Sequence, residues 1–447
     1  MAWSEVSLAR VLLLGLLAPL AAAKSEAKAD PPQGGSADGL AYEAIQNTQV
    51  YTNNGTAPQS PPVQGWWESK ICSGAYCVYT NQRLAKGRGL VAVTKFEEFQ
   101  KLERIEEHLD RGENKFLVDP LPFTTTEVLH KGPGLTATSP LRRGKPLLVF
   151  SPVLIVHKSL FDQVPKKKDR TRLLEAAISY LPPTTQTAFN KQRARPGDST
   201  NTHPRSVEDI LLSHPFEIDL GYAAHKPDEQ NHSKHYVNYP EASAFQHDCR
   251  PNVATYMDNA FALRATVARR VAVGEELTVS YVDPFWSRED RAAWVKRHRT
   301  PLGSSDDDEL SPVVHGGCPC AACSPQGGVK GEAGVEGAER LKEIIALRAE
   351  LRNHDSTKVD FALIERFLKL YEQERLHVRF AEAYELAATN FNYLGDDKRA
   401  QKYADLAVQA AIVEGGVESN DAVAMRIFAK DVKGHYSYRY TLKRRGQ

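Results

Sequence analysis

Asn238-Tyr239-Pro240-Glu241-Ala242-Ser243-Ala244-Phe245-Gln246-His247-Asp248-Cys249-Arg250-Pro251-Asn252 ends in a run that sets an amide, an imidazole, a carboxylate, a thiol and a guanidinium side by side. Upstream stands Gly132-Pro133-Gly134-Leu135-Thr136-Ala137-Thr138, followed by Leu141-Arg142-Arg143-Gly144. Downstream stands Gly274-Glu275-Glu276-Leu277-Thr278-Val279-Ser280-Tyr281, and beyond it Cys318-Pro319-Cys320-Ala321-Ala322-Cys323. Each piece is weak alone. A Gly-x-Gly turn usually only turns the chain, and Gly87-Arg88-Gly89 is a second one without such companions. Tyr281 by itself reads as a core aromatic on a β-strand. The information lies in the three elements occurring together, in this order.

Working outward, Ala254-Thr255-Tyr256, the run 261–267 and Leu277 to Tyr281 are rich in β-formers. Leu147-Leu148-Val149-Phe150 and Val153-Leu154-Ile155-Val156 read as short apolar strands around Pro152. Leu173 to Leu181 reads as a helix. Residues 182–208 are polar and broken by Pro182, Pro183 and Pro196, which predicts a loop or a mobile insertion. Toward the N-terminus, Cys77 to Thr80 and Leu90 to Thr94 are β-rich and flank the Gly87-Arg88-Gly89 turn. Phe96 to Leu109 gives a helical pattern with Phe96, Phe99, Leu102 and Ile105 near one face. Gly327 to Gly337 reads as a linker. After it Leu341, Ile344, Leu347 and Leu351, then Leu363, Phe367 and Tyr371, recur at helical spacing. Phe380 to Ala411 reads as two helices joined at Gly395-Asp396-Asp397.

At 447 residues the chain can hold two or three domains. A formal net charge of +1 gives no whole-chain field toward nucleic acid or an anionic membrane, and Lys166-Lys167-Lys168 reads either as a local basic patch for such a partner or, more commonly for such a triplet, as a solvated loop. The apolar run from Val11 to Ala23, 13 residues after Arg10, has the layout of a secretory signal peptide or is a disordered apolar start. It is short for a membrane span, and no later segment approaches that length. The stretch after it is rich in Ala, Gly, Ser and Pro and reads as a flexible leader. Asn54-Gly55-Thr56 and Asn231-His232-Ser233 are glycosylation sequons. Cys72 and Cys77 form either a local disulfide, in an oxidising compartment, or two unlinked thiols.

Taken together, the ordered elements over roughly residues 131–323 resemble the SET domain of protein-lysine methyltransferases. That family carries a Gly-x-Gly turn, an Asn-His-Ser-Cys-x-Pro-Asn segment, a Glu-Glu-Leu-x-x-x-Tyr strand and a Cys-x-Cys cluster. Here Gln246 stands where the family usually has Asn, and Asp248 where it has Ser. The tail, through Tyr384, Leu386, Ala387, Leu394-Gly395, Ala400 and Tyr403, resembles one tetratricopeptide unit, as in a subgroup with such helices and no inserted zinc finger. The fold class implied is α+β: a β-rich SET domain with a knot-like cofactor site and a post-SET zinc cluster, then an all-α helical tail. The expected layout is a signal peptide at 1–23, a flexible leader at 24–62 and an N-terminal β-rich extension at 63–130. The SET domain follows at 131–285 with an insertion at about 158–230, then a post-SET segment at 286–325 and a helical repeat-like domain at 338–430.

The resemblance implies S-adenosylmethionine-dependent methyl transfer to a protein lysine. Tyr281 matches the catalytic tyrosine, and Gly132, Gly134, Gln246, His247 and Asn252 match cofactor contacts. Cys249, Cys318, Cys320 and Cys323 suit one structural zinc, because tetrahedral sites take four thiolates; disulfides are the other reading. Tyr236, Tyr239, Phe285 and Trp286 either line a lysine channel or serve as packing. The partner implied is a protein with an exposed lysine, with a further protein partner for the helical tail. The compartment is the secretory pathway or the exterior if the signal peptide is real, otherwise cytoplasm or nucleus. A different class stays open beside the enzyme: a non-catalytic secreted SET-fold interaction or scaffold protein.

Overall fold

The structure, a computed structural model, describes residues 65–128, 132–192, 206–213, 216–223, 233–299, 320 and 332–445. The signal-peptide and leader segments, the sequon at Asn54, the asparagine of the second sequon at Asn231 and the acidic stretch at 304–309 lie outside those residues.

Fourteen strands are described: β1 (Trp67–Ser73), β2 (Tyr76–Asn81), β3 (Leu90–Thr94), β4 (Asn114–Phe116), β5 (Phe123–Val128), β6 (Gly132–Ala137) and β7 (Pro146–Phe150). They continue with β8 (Leu154–His157), β9 (Phe216–Asp219), β10 (Lys234–Asn238), β11 (Gln246–His247), β12 (Val253–Met257), β13 (Leu263–Val267) and β14 (Glu276–Val279). They form three sheets, ordered β1-β2-β3-β8-β10-β9, β11-β14-β6-β5 and β12-β13-β7-β4.

The first sheet explains why Leu90 to Val93 is an unbroken apolar run. Strand side chains alternate between faces, and here both faces are covered. Val91 and Val93 pack with Leu173, Leu174 and Ala177 of a helix at Lys167–Ser179, while Leu90 and Ala92 pack with Phe99 and Leu102 of a helix at Phe96–Arg104. Numbered along the chain these helices are α1 (Phe96–Arg104) and α2 (Lys167–Ser179). Phe96 departs from its expected face and is exposed. β3 runs parallel to β8, so the N-terminal extension and the region after residue 131 share one sheet. Cys72 and Cys77 sit opposite each other across β1 and β2 and form a disulfide.

Two expectations need correction. Residues 182–208 are not a continuous loop: Pro183 opens α3 (Pro183–Asn190) and a further helix covers Val207–Ser213. Proline fits the first turn of a helix, where its missing N–H costs nothing. Phe189 is buried, and Gln192 and Asn238 exchange amide hydrogen bonds at 2.9 and 3.0 Å. The Gly132-Pro133-Gly134 segment is likewise not a turn; it begins β6, paired along its length with β5.

Past α4 (Arg288–Arg299) come α5 (Glu332–Arg352), α6 (Phe361–Gln373), α7 (Phe380–Tyr393), α8 (Asp397–Gly415) and α9 (Asn420–Lys430). The caps are built from acid and hydroxyl side chains. Asp360 accepts from the Leu363 N–H at 2.8 Å, Asp396 from Arg399 at 2.9 Å and Ser419 from Ala422 at 3.2 Å. Buried alanines at 383, 387, 400, 404 and 407 let α7 and α8 approach closely. No described helix is long and apolar enough to cross a membrane.

Candidate active site

The second sheet gathers the three quoted motifs. β11 lies parallel to β14, with Gln246 opposite Thr278 and His247 opposite Val279. β14 in turn pairs antiparallel with β6, Leu277 opposite Leu135. Segments more than a hundred residues apart thus become neighbouring strands.

Gly134 is where β6 comes within reach of the Gln246 side chain from β11, with β14 between the two strands. A methyl group there would stand 3.0 Å from Val128 Cγ2, 3.1 Å from Glu276 Oε1 and 3.2 Å from Gln246 Cγ. Only glycine allows that approach without displacing a neighbour. Gln246, buried, donates from Nε2 to the Pro133 carbonyl at 2.8 Å and locks the two strands together. Gly132 pairs with Val128 at the start of β6.

Asn252 is buried, and its amide staples β14. It donates to the Glu276 carbonyl at 2.7 Å and to Glu275 Oε1 at 3.3 Å, and accepts from the Thr278 N–H at 2.9 Å. Glu275 also meets Arg269 at 2.5 Å. Burial alone would raise the Glu275 carboxyl; Arg269, the Ala272 N–H and Asn252 outweigh it and hold it below its ordinary value.

Tyr281 is half-buried and tied at both ends to the same short segment. Its hydroxyl donates to the Phe245 carbonyl, and its backbone N–H donates to His247 Nδ1 at 3.1 Å. With Nδ1 accepting, the proton of a neutral His247 sits on Nε2, which faces Cys249 Sγ at 3.2 Å. The Tyr281 ring has His247 at 5.3 Å and Trp294 of α4 at 6.3 Å between centroids. Asp248 uses its carboxylate locally, accepting from the Arg250 N–H at 2.8 Å to make a tight turn.

Cys249 and Cys320 are both buried, which suits thiolates of a closed structural site; Cys318 and Cys323 lie outside the described residues. Among the described residues, a group of possible metal ligands occurs at Glu68, Cys72 and Cys77, but its two sulfurs are joined to each other. The four aromatics do not converge. Tyr236 packs against Phe161 beside α2, Tyr239 is enclosed near Phe216 and donates to the Phe261 carbonyl at 2.7 Å, and Phe285 packs into the helical tail beneath Arg348. Trp286 offers its carbonyl to Arg291 at 2.8 Å.

Several residues escaped the sequence reading. Arg88, in the second Gly-x-Gly motif, grips Glu241 with two hydrogen bonds at 3.0 and 2.6 Å and reaches the Ser151 carbonyl at 2.9 Å. Gly89 has φ +76°, and a Cβ there would meet Pro182 Cδ at 2.5 Å, so that motif places an arginine at the entry of the 240–252 segment. Arg250 was in view as part of the segment, whereas its partner Glu374 carried no signal, being 124 residues away.

The family model of the SET domain matches residues 132–282, from the first glycine of β6 to the residue after Tyr281. No curated protein matches the chain.

Proposed function

We propose that this chain, which carries a SET domain over residues 132–282, transfers a methyl group from S-adenosylmethionine to the amine of a protein lysine. The observation that carries the reading is Tyr281, held by Phe245 and His247 at the end of β14, the strand that joins β11 to the glycine-bearing β6. The donor, when bound, supplies an electrophilic methyl on a sulfonium. The lysine amine would bring the attacking lone pair, the sulfonium sulfur would keep the electron pair of the bond it loses, and the amine proton would pass to water.

The chain's own part is placement. Because the Tyr281 O–H is spent on Phe245, its oxygen meets an incoming amine as an acceptor and orients the N–H. An unperturbed phenol titrates near ~10, which suits an orienting group better than a base. Gly132, Gly134, Gln246 and the His247 backbone line the donor's side, with Gln246 fixed by its bond to Pro133. Asn252 serves by holding β14 in register. The 246–252 segment is the knot of this reading, and Cys249 with Cys318, Cys320 and Cys323 would hold a zinc that closes the post-SET segment over it. The helical tail offers a face to a protein partner.

The Cys72–Cys77 disulfide favours an oxidising compartment, in keeping with a signal peptide at 1–23. It is also the observation behind a second reading, a secreted SET-fold scaffold without turnover, since such a compartment holds little donor. Calorimetric titration of S-adenosylmethionine into the zinc-loaded chain from Lys24 decides between them. One site in the micromolar range supports the enzyme; no heat from a folded, zinc-loaded sample supports the scaffold.

A further inference from the structure

We infer that Glu374, in the helical tail, is a positioning residue for the candidate site and acts through Arg250. Its functional arm rests on the methyl-transfer reading; its structural arm does not.

Arg250 lies between Cys249 and Asn252 in the site segment and is 6% exposed. Its guanidinium makes three links from one buried point. Nη1 donates to the Cys249 carbonyl at 2.8 Å and to the Pro284 carbonyl at 3.2 Å; Nη2 donates to Glu374 Oε2 at 2.9 Å. The first two tie the segment carrying His247 to the chain three residues past Tyr281, so Arg250 bridges the stretches on either side of that tyrosine's contacts.

A buried guanidinium is tolerated only when paired and hydrogen-bonded, and the tail supplies the counter-charge. Glu374 is the C-cap residue of α6. A carboxylate is unwelcome there, because the last carbonyls already carry partial negative charge. It is held by two cations, Arg250 and, at 2.7 Å, Arg340 of α5. The pair is nearly sealed, with side-chain exposures of 4% for Arg250 and 9% for Glu374.

The tail is seated at a second place as well. Arg143, in the turn between β6 and β7, donates to the His377 carbonyl at 3.2 Å and lies 5.8 Å over the Phe380 ring. Tyr256 of β12 packs on Gly416, where a Cβ would come within 2.8 Å of its ring. The helices therefore form one wall of the site's support, and a carboxylate on α6 sets where Arg250, and through it the 246–252 segment, comes to rest.

The test compares the full chain with Glu374→Gln, which keeps shape but removes the charge, Glu374→Asp, and Arg340→Gln, which touches Glu374 from the tail side. Hydrogen exchange is read peptide by peptide, along with donor affinity and steady-state methyl transfer. In Glu374→Gln, exchange over 247–252 and 282–286 is expected to rise about tenfold or more while α7 and α8 stay protected. The donor KM should rise about tenfold to a hundredfold, with kcat at saturating donor within twofold. Glu374→Asp should recover part of both, and Arg340→Gln should leave 247–252 nearly as in the parent. Parent-like exchange at 247–252 in Glu374→Gln overturns the inference, as does uniform loss of protection across the tail in all three variants. If the parent binds no donor, the methyl-transfer reading fails, and the exchange data alone still decide whether Glu374 positions the segment.

Discussion

Tyr281 is bonded to His247 through the backbone: its N–H ends on Nδ1 at 3.1 Å. That bond settles the tautomer of a neutral ring, and so the group presented to Cys249. Carried on through the Tyr281 hydroxyl to Phe245, it closes a loop in which two residues of one segment grip both the main chain and the side chain of a third. The tyrosine's orientation is thus fixed by its scaffold before any substrate arrives.

Replacing Tyr281 with Phe removes one hydrogen bond, worth about 1 kcal/mol, and leaves the His247 contact in place. The folded state should survive and donor affinity should change little, because neither depends on the phenol oxygen. Methyl transfer is expected to fall about 100-fold or more. Radiolabel incorporation beside a urea melt measures both, and parent-like turnover would remove Tyr281 from its assigned role.

Gly134→Ala tests the strand junction. The new methyl would crowd Gln246 Cγ at 3.2 Å and Val128 Cγ2 at 3.0 Å, and overpacking of this kind costs about 1–3 kcal/mol. We expect a lower midpoint in urea and weakened donor binding together. Loss of stability with unchanged affinity would show that Gly134 serves the sheet and not the ligand.

Acid sensitivity should trace to the first sheet. His235 is fully buried opposite His157, with ring centroids 4.7 Å apart, and is held by Thr94 and by the Ser233 carbonyl. Burial first, then His157 and Lys101, push its pKa from 6.5 down to about 3, against the Ser233 hydrogen bond. The unfolded chain therefore binds a proton that the folded one refuses. This contribution is complete above pH 6.5 and drains as pH falls toward 3, at up to about 1.4 kcal/mol per pH unit. The stability difference between the parent and His235→Asn, measured in urea at pH 7, 6, 5 and 4, should shrink with that slope; a pH-independent difference would contradict it.

Metal analysis of the full chain should return one zinc, lost together with the protection of residues 247–252 on chelation. Cys249→Ser should reproduce the chelated state, lowering thermal stability without added chelator. A chain that holds no zinc yet keeps that protection would assign the four cysteines to another use.

The α+β architecture and the coming together of the motifs were legible because each motif keeps its residues close in sequence: Gly134, Gln246, His247, Asn252 and Tyr281 fall on or beside three adjoining strands. Two local errors share a cause. Pro182-Pro183 reads as a break and Gly132-Pro133-Gly134 as a turn when only propensity is consulted, but proline can begin a helix and glycine is needed wherever strands crowd. For the aromatics the structure favours the packing alternative. Tyr236, Tyr239 and Phe285 are near the motifs in sequence, yet strand alternation and chain direction send them to three separate cores. Glu374 was beyond reach altogether, since nothing local marks a carboxylate whose partner is 124 residues away.

The parallel pairing of β3 with β8 has a consequence for how the chain is made. During synthesis β1, β2 and β3 emerge first, and the apolar edge at Leu90 to Val93 stays without its neighbour until Leu154 to His157 has been translated. β10, which covers the other edge of β8, arrives later still. Pairings of such long sequence separation form slowly, and open strand edges recruit other chains. The nascent protein is therefore most prone to aggregate after its first hairpin is complete and before β8 is available. Chains truncated between residues 100 and 150 should be the stickiest of a length series, and shielding by a holdase should matter most at that stage.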